Sequence, residues 1–294
     1  MTATVMTPNP TGPMGPTGPA PTTRRPAPAQ GVTFTRAVRA EWIKFRSVRS
    51  TVWTLLASVV LMVGIAALAA WGTSIEQVDG GSGPMNVAQL LSAGYQIAQL
   101  AVAVLAVLTI TGEYSTGMIR STFAAAPRRW PVLAAKALVL TGVVLVVSVV
   151  SMGLSYLATM PFHDALGARF DLTDPQTLRM TVGLPLYLVA IALFAFAVGA
   201  LVRHSAGALT AVIGLLLVVE NVLMMIPLRA IELVSPFLPS TAGRRVLFDE
   251  EMLALVDAAS TGAHLAPWQG YAVLVAWAVA LLGLASVLLV RRDA

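Results

Sequence analysis

Residues 52–72 read VWTLLASVVLMVGIAALAAWG, twenty-one residues without a charge. A bilayer's hydrocarbon core is about 30 Å thick and an α-helix rises 1.5 Å per residue, so about 20 apolar residues cross it. Five further runs of this kind follow along the chain: 87–110, with Gln96 and Gln99 inside it; 132–157, with Lys136 near its start; 181–202; 205–226, with Glu220 and Asn221 inside it; and 271–290. Only Arg203 and His204 separate the fourth and fifth runs, so those two spans must form a tight hairpin. The pattern predicts an all-α polytopic membrane protein with six transmembrane helices and both termini on one side.

Composition agrees with this reading. Of 294 residues 57% are hydrophobic and only 11% charged, against about 25% charged in a soluble domain. With a mean hydropathy of +0.79, a soluble enzyme of this length is excluded. There is no cysteine, which removes disulfides, thiolate metal sites, a cysteine nucleophile and palmitoylation. Arginine outnumbers lysine seventeen to two. Residues 1–33 form a Pro/Thr/Gly-rich tail. Its first thirty positions hold eight of the eighteen prolines, too little apolar surface to offset the entropy of ordering, and they are expected to be disordered. The first apolar run lies behind this tail and is too long for the core of a secretory signal, so none is expected. Residues 34–294 form the membrane domain.

Basic residues sort by side. With the termini inside, the inner side holds Arg24, Arg25, Arg36, Arg39, Lys44, Arg46, Arg49, Arg120, Arg128, Arg129, Lys136, Arg203, Arg291 and Arg292. That is fourteen, against five outside (Arg169, Arg179, Arg229, Arg244 and Arg245). Acidic residues run the other way, ten outside and three inside. The asymmetry predicts a multi-pass protein of the bacterial plasma membrane with cytoplasmic termini. It also accounts for the high isoelectric point, so no nucleic-acid partner is expected.

Three segments outside the spans carry a pattern. Residues 34–49, FTRAVRAEWIKFRSVR, place Phe34, Val38, Trp42 and Phe45 on one face of a helix and Arg36, Arg39, Lys44 and Arg46 off it. An amphipathic helix over 34–50 suits the inner headgroup layer, with Trp42, Arg46 and Arg49 as interfacial anchors. It serves either as a mechanical connector or as a plain juxtamembrane anchor. The loop between spans two and three, ITGEYSTGMIRSTFAAAPRRWPVLAAK (110–136), reads as a short helix. Ser115 or Thr116 would cap it, and Pro127 with Pro131 would end it. Met118, Ile119 and Phe123 give it an apolar patch, suited to docking on another protein or to lying flat on lipid. The long segment 227–270 is expected to hold a short re-entrant or interfacial helix at 228–234 and an amphipathic helix at 246–259.

Few residues suggest chemistry. Glu220 is the most costly side chain in any span, so it should face an interior, a cavity or a partner. It reads equally as a pathway residue and as a structural carboxyl. Asn221 is placed to donate to it, and Gln96 with Gln99 to face the same interior. Ser82, in Gly80-Gly81-Ser82-Gly83, lies in a loop rather than a span and has no histidine across from it, so an intramembrane protease is set aside. His163, His204 and His264 are scattered through loops without metal-site spacing. No metal or catalytic residue is expected.

The stretches EWIKFRSVRSTVWTLL (41–56) and TGEYSTGMIRSTFAAAPRRWPVLAAKAL (111–138), with LPSTAG at 238–243, resemble the permease subunits of type-2 ABC exporters, especially the compact actinobacterial ones. The resemblance implies that the helix before span one is a connecting helix. It also implies that the 2–3 loop forms a cytoplasmic coupling helix that receives motion from an ATPase. Glu113, Gly117, Arg120, Pro127 and Arg128 match that pattern. The chain has no Gly-Lys pair with which a Walker loop would cradle phosphates. ATP and magnesium are therefore expected in a separate ABC ATP-binding subunit, with no cofactor and no enzymatic activity in this chain. A second permease copy is implied as well, with spans two and five forming the cargo route at their interface among membrane lipid. The competing expectations are an ion- or proton-coupled secondary transporter using Glu220 and a non-transporting scaffold or sensor subunit tied to an ATPase.

Overall fold

The computed structural model describes residues 33–78, 86–118, 130–226, 228–259 and 262–292, apart from the side chains of residues 224 and 290–292. The tail (1–32), the loop holding Ser82 and the stretch 119–129 lie outside the described residues. No β-strand forms among those described. Six helices are long and apolar enough to cross a membrane: Arg49–Glu76, Val87–Ser115, Trp130–Phe162, Pro175–Val202, Ser205–Leu223 and Pro267–Leu289. The protein is an all-α polytopic membrane protein.

Local chemistry sets the span boundaries. Span four begins at Pro175, before the apolar run, because Asp174 caps it. The Asp174 carboxylate accepts from the Thr177 N–H at 2.9 Å and from the Thr177 hydroxyl at 2.7 Å, and Pro175 fits the first helical position. Span two is broken rather than continuous. A short helix Val87–Ser92, capped by the Asn86 side chain on the Ala88 N–H, precedes the main helix Tyr95–Ser115. Gly94 stands at the break, where a Cβ would lie 2.8 Å from the carbonyl oxygen of Met62 in span one. Only glycine allows the two backbones to approach that closely.

Span four is the centre of the bundle. It packs against spans two, three, five and six, and most of its residues from Gly183 to Ala200 are buried, including Tyr187, Phe194 and Phe196. Span one packs on spans two and three and turns Trp53, Val60 and Leu68 outward. Spans four and five form the expected hairpin. Arg203 takes a left-handed conformation (φ 60°) and donates its N–H to the Gly199 carbonyl at 2.9 Å, and His204 Nδ1 accepts from the Gly207 N–H. Span five is not regular. Between Ser205–Ile213 and Glu220–Met225 the stretch Gly214–Val219 is a π-helix.

Two expectations about the flanking segments are corrected. The amphipathic helix Phe34–Ser47 packs on spans one and three through Val38, Glu41 and Phe45, with Glu41 and Phe45 buried and Phe34 and Trp42 exposed. The packed face is thus turned from the purely apolar one, because a charged residue finds partners inside. In the 227–270 segment, the helix Arg229–Val234 buries nothing. The part that enters the bundle is Pro239–Gly243 with the following turn Arg244–Leu247, nearly all buried. The amphipathic helix starts only at Glu250, where the Asp249 side chain accepts from the Met252 N–H at 2.8 Å. Glu250 and Glu251 then complement the helix dipole in its first turn.

Candidate functional site

Four charged side chains meet where the amphipathic helix reaches spans two and three. Glu41 and Lys44 come from the amphipathic helix, Glu113 from the last turn of span two and Lys136 from the second turn of span three. Lys136 Nζ contacts Glu41 Oε2 at 2.5 Å and Glu113 Oε1 at 2.9 Å; Lys44 Nζ contacts Glu41 Oε1 and Glu113 Oε1, each at 3.1 Å. Glu41, Glu113 and Lys136 are 5% exposed or less, while the Lys44 side chain is 37% exposed. The cluster uses both lysines of the chain and is formally neutral. Burial lowers the affinity of Lys44 for its proton, but Glu41 and Glu113 outweigh that, and its pKa lies above the usual 10.5.

Taking ions out of water costs several kcal/mol each, so such a network contributes little net stability but heavily penalises any arrangement that separates its members. It pins the amphipathic helix to the two helix ends from which the 2–3 loop departs. Span two stops there by a defined device. The Thr116 N–H bonds the Gly112 carbonyl, the Gly117 N–H bonds the Tyr114 carbonyl, and Gly117 is left-handed with φ 70°, the conformation glycine adopts at helix ends. The same helix end holds the 4–5 hairpin. The Arg203 guanidinium lies 5.4 Å from the Tyr114 ring centroid, and the Ser205 hydroxyl donates to Thr111 Oγ1 at 2.9 Å.

A cleft of about 380 Å³ adjoins the network. The amphipathic helix, the start of span one, the last three turns of span two and the start of span three form its walls, and the exposed Met118 stands at its rim. Of the residues expected to couple to an ATPase, Glu113 is in the network, Gly117 ends the helix and Met118 lines the cleft. Ile119, Arg120, Phe123, Pro127 and Arg128 lie outside the described residues. Trp42, Arg46 and Arg49, the expected interfacial anchors, are all exposed.

A second polar cluster lies about 21 Å away along span two, fourteen residues back at 1.5 Å each. The fully buried Tyr187 donates its hydroxyl to Gln99 Oε1, and the Ser240 hydroxyl lies 3.0 Å from the Tyr187 oxygen. Glu220, 3% exposed, accepts from the Ser240 N–H at 3.0 Å and from the Thr241 N–H and hydroxyl at 2.6 and 2.8 Å. The cap position of the helix Pro239–Gly243 is Leu238, which has no side-chain acceptor. Glu220 supplies that acceptor from another helix and so holds the inserted turn in the bundle. Its neighbours do not join in. Asn221 is exposed and donates to its own Leu217 carbonyl at 2.7 Å; Gln96 is exposed and reaches only the Tyr95 hydroxyl at 3.4 Å. At i and i+3, Gln96 and Gln99 differ by about 60° around the helix, enough to put one inside and one out.

Sequence reasoning missed Glu41, Lys44 and Lys136 as partners, and Tyr187, Ser240 and Thr241 as a group. One signal was available. In a chain with two lysines, each sits within a few residues of a span end, and Lys44 follows a glutamate by three positions. Among the described residues no group of three His, Asp or Glu side chains is arranged to hold a metal ion. Searches with protein-family models and against curated proteins find no match to this chain.

Proposed function

We propose that this chain is the membrane-spanning permease subunit of an ATP-driven exporter of the bacterial cell membrane. A separate ATP-binding subunit would hydrolyse ATP, a second permease copy would complete the pathway at spans two and five, and the termini would lie in the cytoplasm. The observation that carries the reading is the buried network of Glu41, Lys44, Glu113 and Lys136. It makes one rigid joint of the amphipathic helix and both roots of the 2–3 loop. A push on that loop is then delivered to spans two and three together, and through Thr111 and Tyr114 to the 4–5 hairpin. A carrier coupled to protons or ions through Glu220 is less well supported, since that carboxylate is engaged by three donors of the inserted turn.

The test is co-purification with a co-expressed ATP-binding subunit, together with ATP turnover in the complex. Burying a large apolar side chain is worth about 1.5–3 kcal/mol, so Phe123→Ala should weaken docking about ten- to hundredfold while the permease inserts normally. Arg120→Glu should act in the same direction. Full retention of partner and turnover in both variants would sink the coupling assignment. Orientation is checked by labelling intact cells. Cysteines placed at Ser74 and Asp171 should react from outside, and one at Ser115 should not.

A further inference from the structure

The cleft beside the ion network has a polarity gradient along its length. At one end stand Lys44, Ser50, Thr51 and Thr116, with the paired Glu41, Glu113 and Lys136 of the network and the apolar Val48 and Met118 beside them; at the other stand Leu105, Leu108 and Val139. From Thr116 to Leu105 is eleven residues of span two, about 16 Å, close to the hydrocarbon depth of one leaflet, about 15 Å. Its polar end lies at the junction of the amphipathic helix with span one, where headgroups sit. The network itself is neutral. Among the described residues, the exposed charged side chains of the amphipathic helix and of the first turn of span one are all cationic: Arg36, Arg39, Arg46 and Arg49. The one acid of the amphipathic helix, Glu41, is buried and paired.

We infer that this cleft is a headgroup-selective site for one anionic phospholipid. Its phosphate would lie by Lys44 and the Ser50 and Thr51 hydroxyls, and one acyl chain would run down the cleft against Leu105 and Leu108. Size and polarity alone would admit any phospholipid of that leaflet; the cationic surround selects the anionic one. Such a lipid would wedge the amphipathic helix against spans one and two and so set how firmly the network is held. The inference does not depend on the exporter reading, because neither an ATPase nor a cargo enters it.

The experiment uses the full chain in phosphatidylcholine bilayers, with spin-labelled phosphatidylglycerol or phosphatidylcholine as the probe and electron paramagnetic resonance reading the motionally restricted fraction. One basic residue near a headgroup favours an anionic lipid about fivefold, so phosphatidylglycerol should be preferred about fivefold or more at a single saturable site per chain. Thr54→Trp and Leu108→Trp, which fill the cleft from opposite walls, should each bring the preference close to one without lowering the melting temperature. Val60→Trp, on the outward face of span one, should leave it intact. Two variants are used so that a failure of one to insert leaves the other to decide. Equal association of the two lipids with the parent overturns the inference, as expected if a second copy of the chain or a zwitterionic lipid fills the cleft. So does a preference that survives both filling variants.

Discussion

Lys136→Met keeps the length of the side chain and removes one charge from a network whose charges cancel. Glu41 and Glu113, each 5% exposed, are then left with Lys44, which is 37% exposed and partly screened by solvent. Removing one partner of a buried ion pair costs about 3–5 kcal/mol. Lys44→Met is a milder change. Lys136 still bridges both carboxylates at 2.5 and 2.9 Å, and ion pairs of exposed residues are worth about 0.2–1 kcal/mol. Lys136→Met should therefore destabilise by about 2 kcal/mol or more beyond Lys44→Met. Removing the surplus carboxylate as well should reverse part of the loss. In Lys136→Met/Glu113→Gln the remaining charges are Glu41 and Lys44, already paired at 3.1 Å, so the double variant should be more stable than Lys136→Met alone. The assay is reversible unfolding in mixed micelles titrated with a denaturing detergent, followed by far-ultraviolet circular dichroism. Equal effects of the two lysine substitutions, or no recovery in the double variant, would refute the account of a neutral buried network.

Three further outcomes follow from the geometry. Glu220→Leu strips acceptors from two buried N–H groups, at about 1–3 kcal/mol each, and should lower the melting temperature in detergent well below that of Glu220→Gln, which keeps one acceptor oxygen. Gly117→Ala puts a side chain at φ 70° and should cost about 1–2 kcal/mol in the same melting assay. Gly94→Ala sets a Cβ against the span-one backbone at Met62. It should cost about 1–3 kcal/mol as an overpacked contact, and the companion Met62→Ala should not relieve it, because the obstructing atoms are main chain.

The membrane fold was legible because hydrophobic length is a local property: each apolar run reports its own span. The tight 4–5 hairpin was legible for the same reason, since two residues leave no room for anything else. What was not legible depends on rotation and on distant partners. Hydrophobic periodicity drew the buried face of the amphipathic helix through Trp42, whereas Glu41 goes inside because Lys136, ninety-five positions away, meets it there. Gln96 and Gln99 look equivalent in the sequence and are separated by helix phase. The inserted turn at 239–243 has no strong apolar signature of its own; it is held by Glu220, and only the pairing of the two explains either. Glu113 and Gly117 stood out only through a resemblance that implied coupling, and neither the ion network that holds Glu113 nor the helix end that Gly117 closes was legible in the residues themselves.

The π-helical stretch Gly214–Val219 lies immediately before Glu220. A π-turn holds one residue more than the α-turn it replaces, and such single turns inside α-helices are often found at functional sites. In hereditary terms the stretch is a phase adjuster. One residue corresponds to about 100° of rotation, so a chain lacking it would carry its glutamate about a quarter-turn round, to the side now held by Val219, which is exposed to the surroundings. The π-turn and the inserted turn at 239–243 are therefore coupled, since the rotation that the first sets is what brings Glu220 to the N–H groups of Ser240 and Thr241. A lineage that deletes a residue from 214–219 should also have lost the carboxylate at 220, the Ser-Thr pair that binds it, or both.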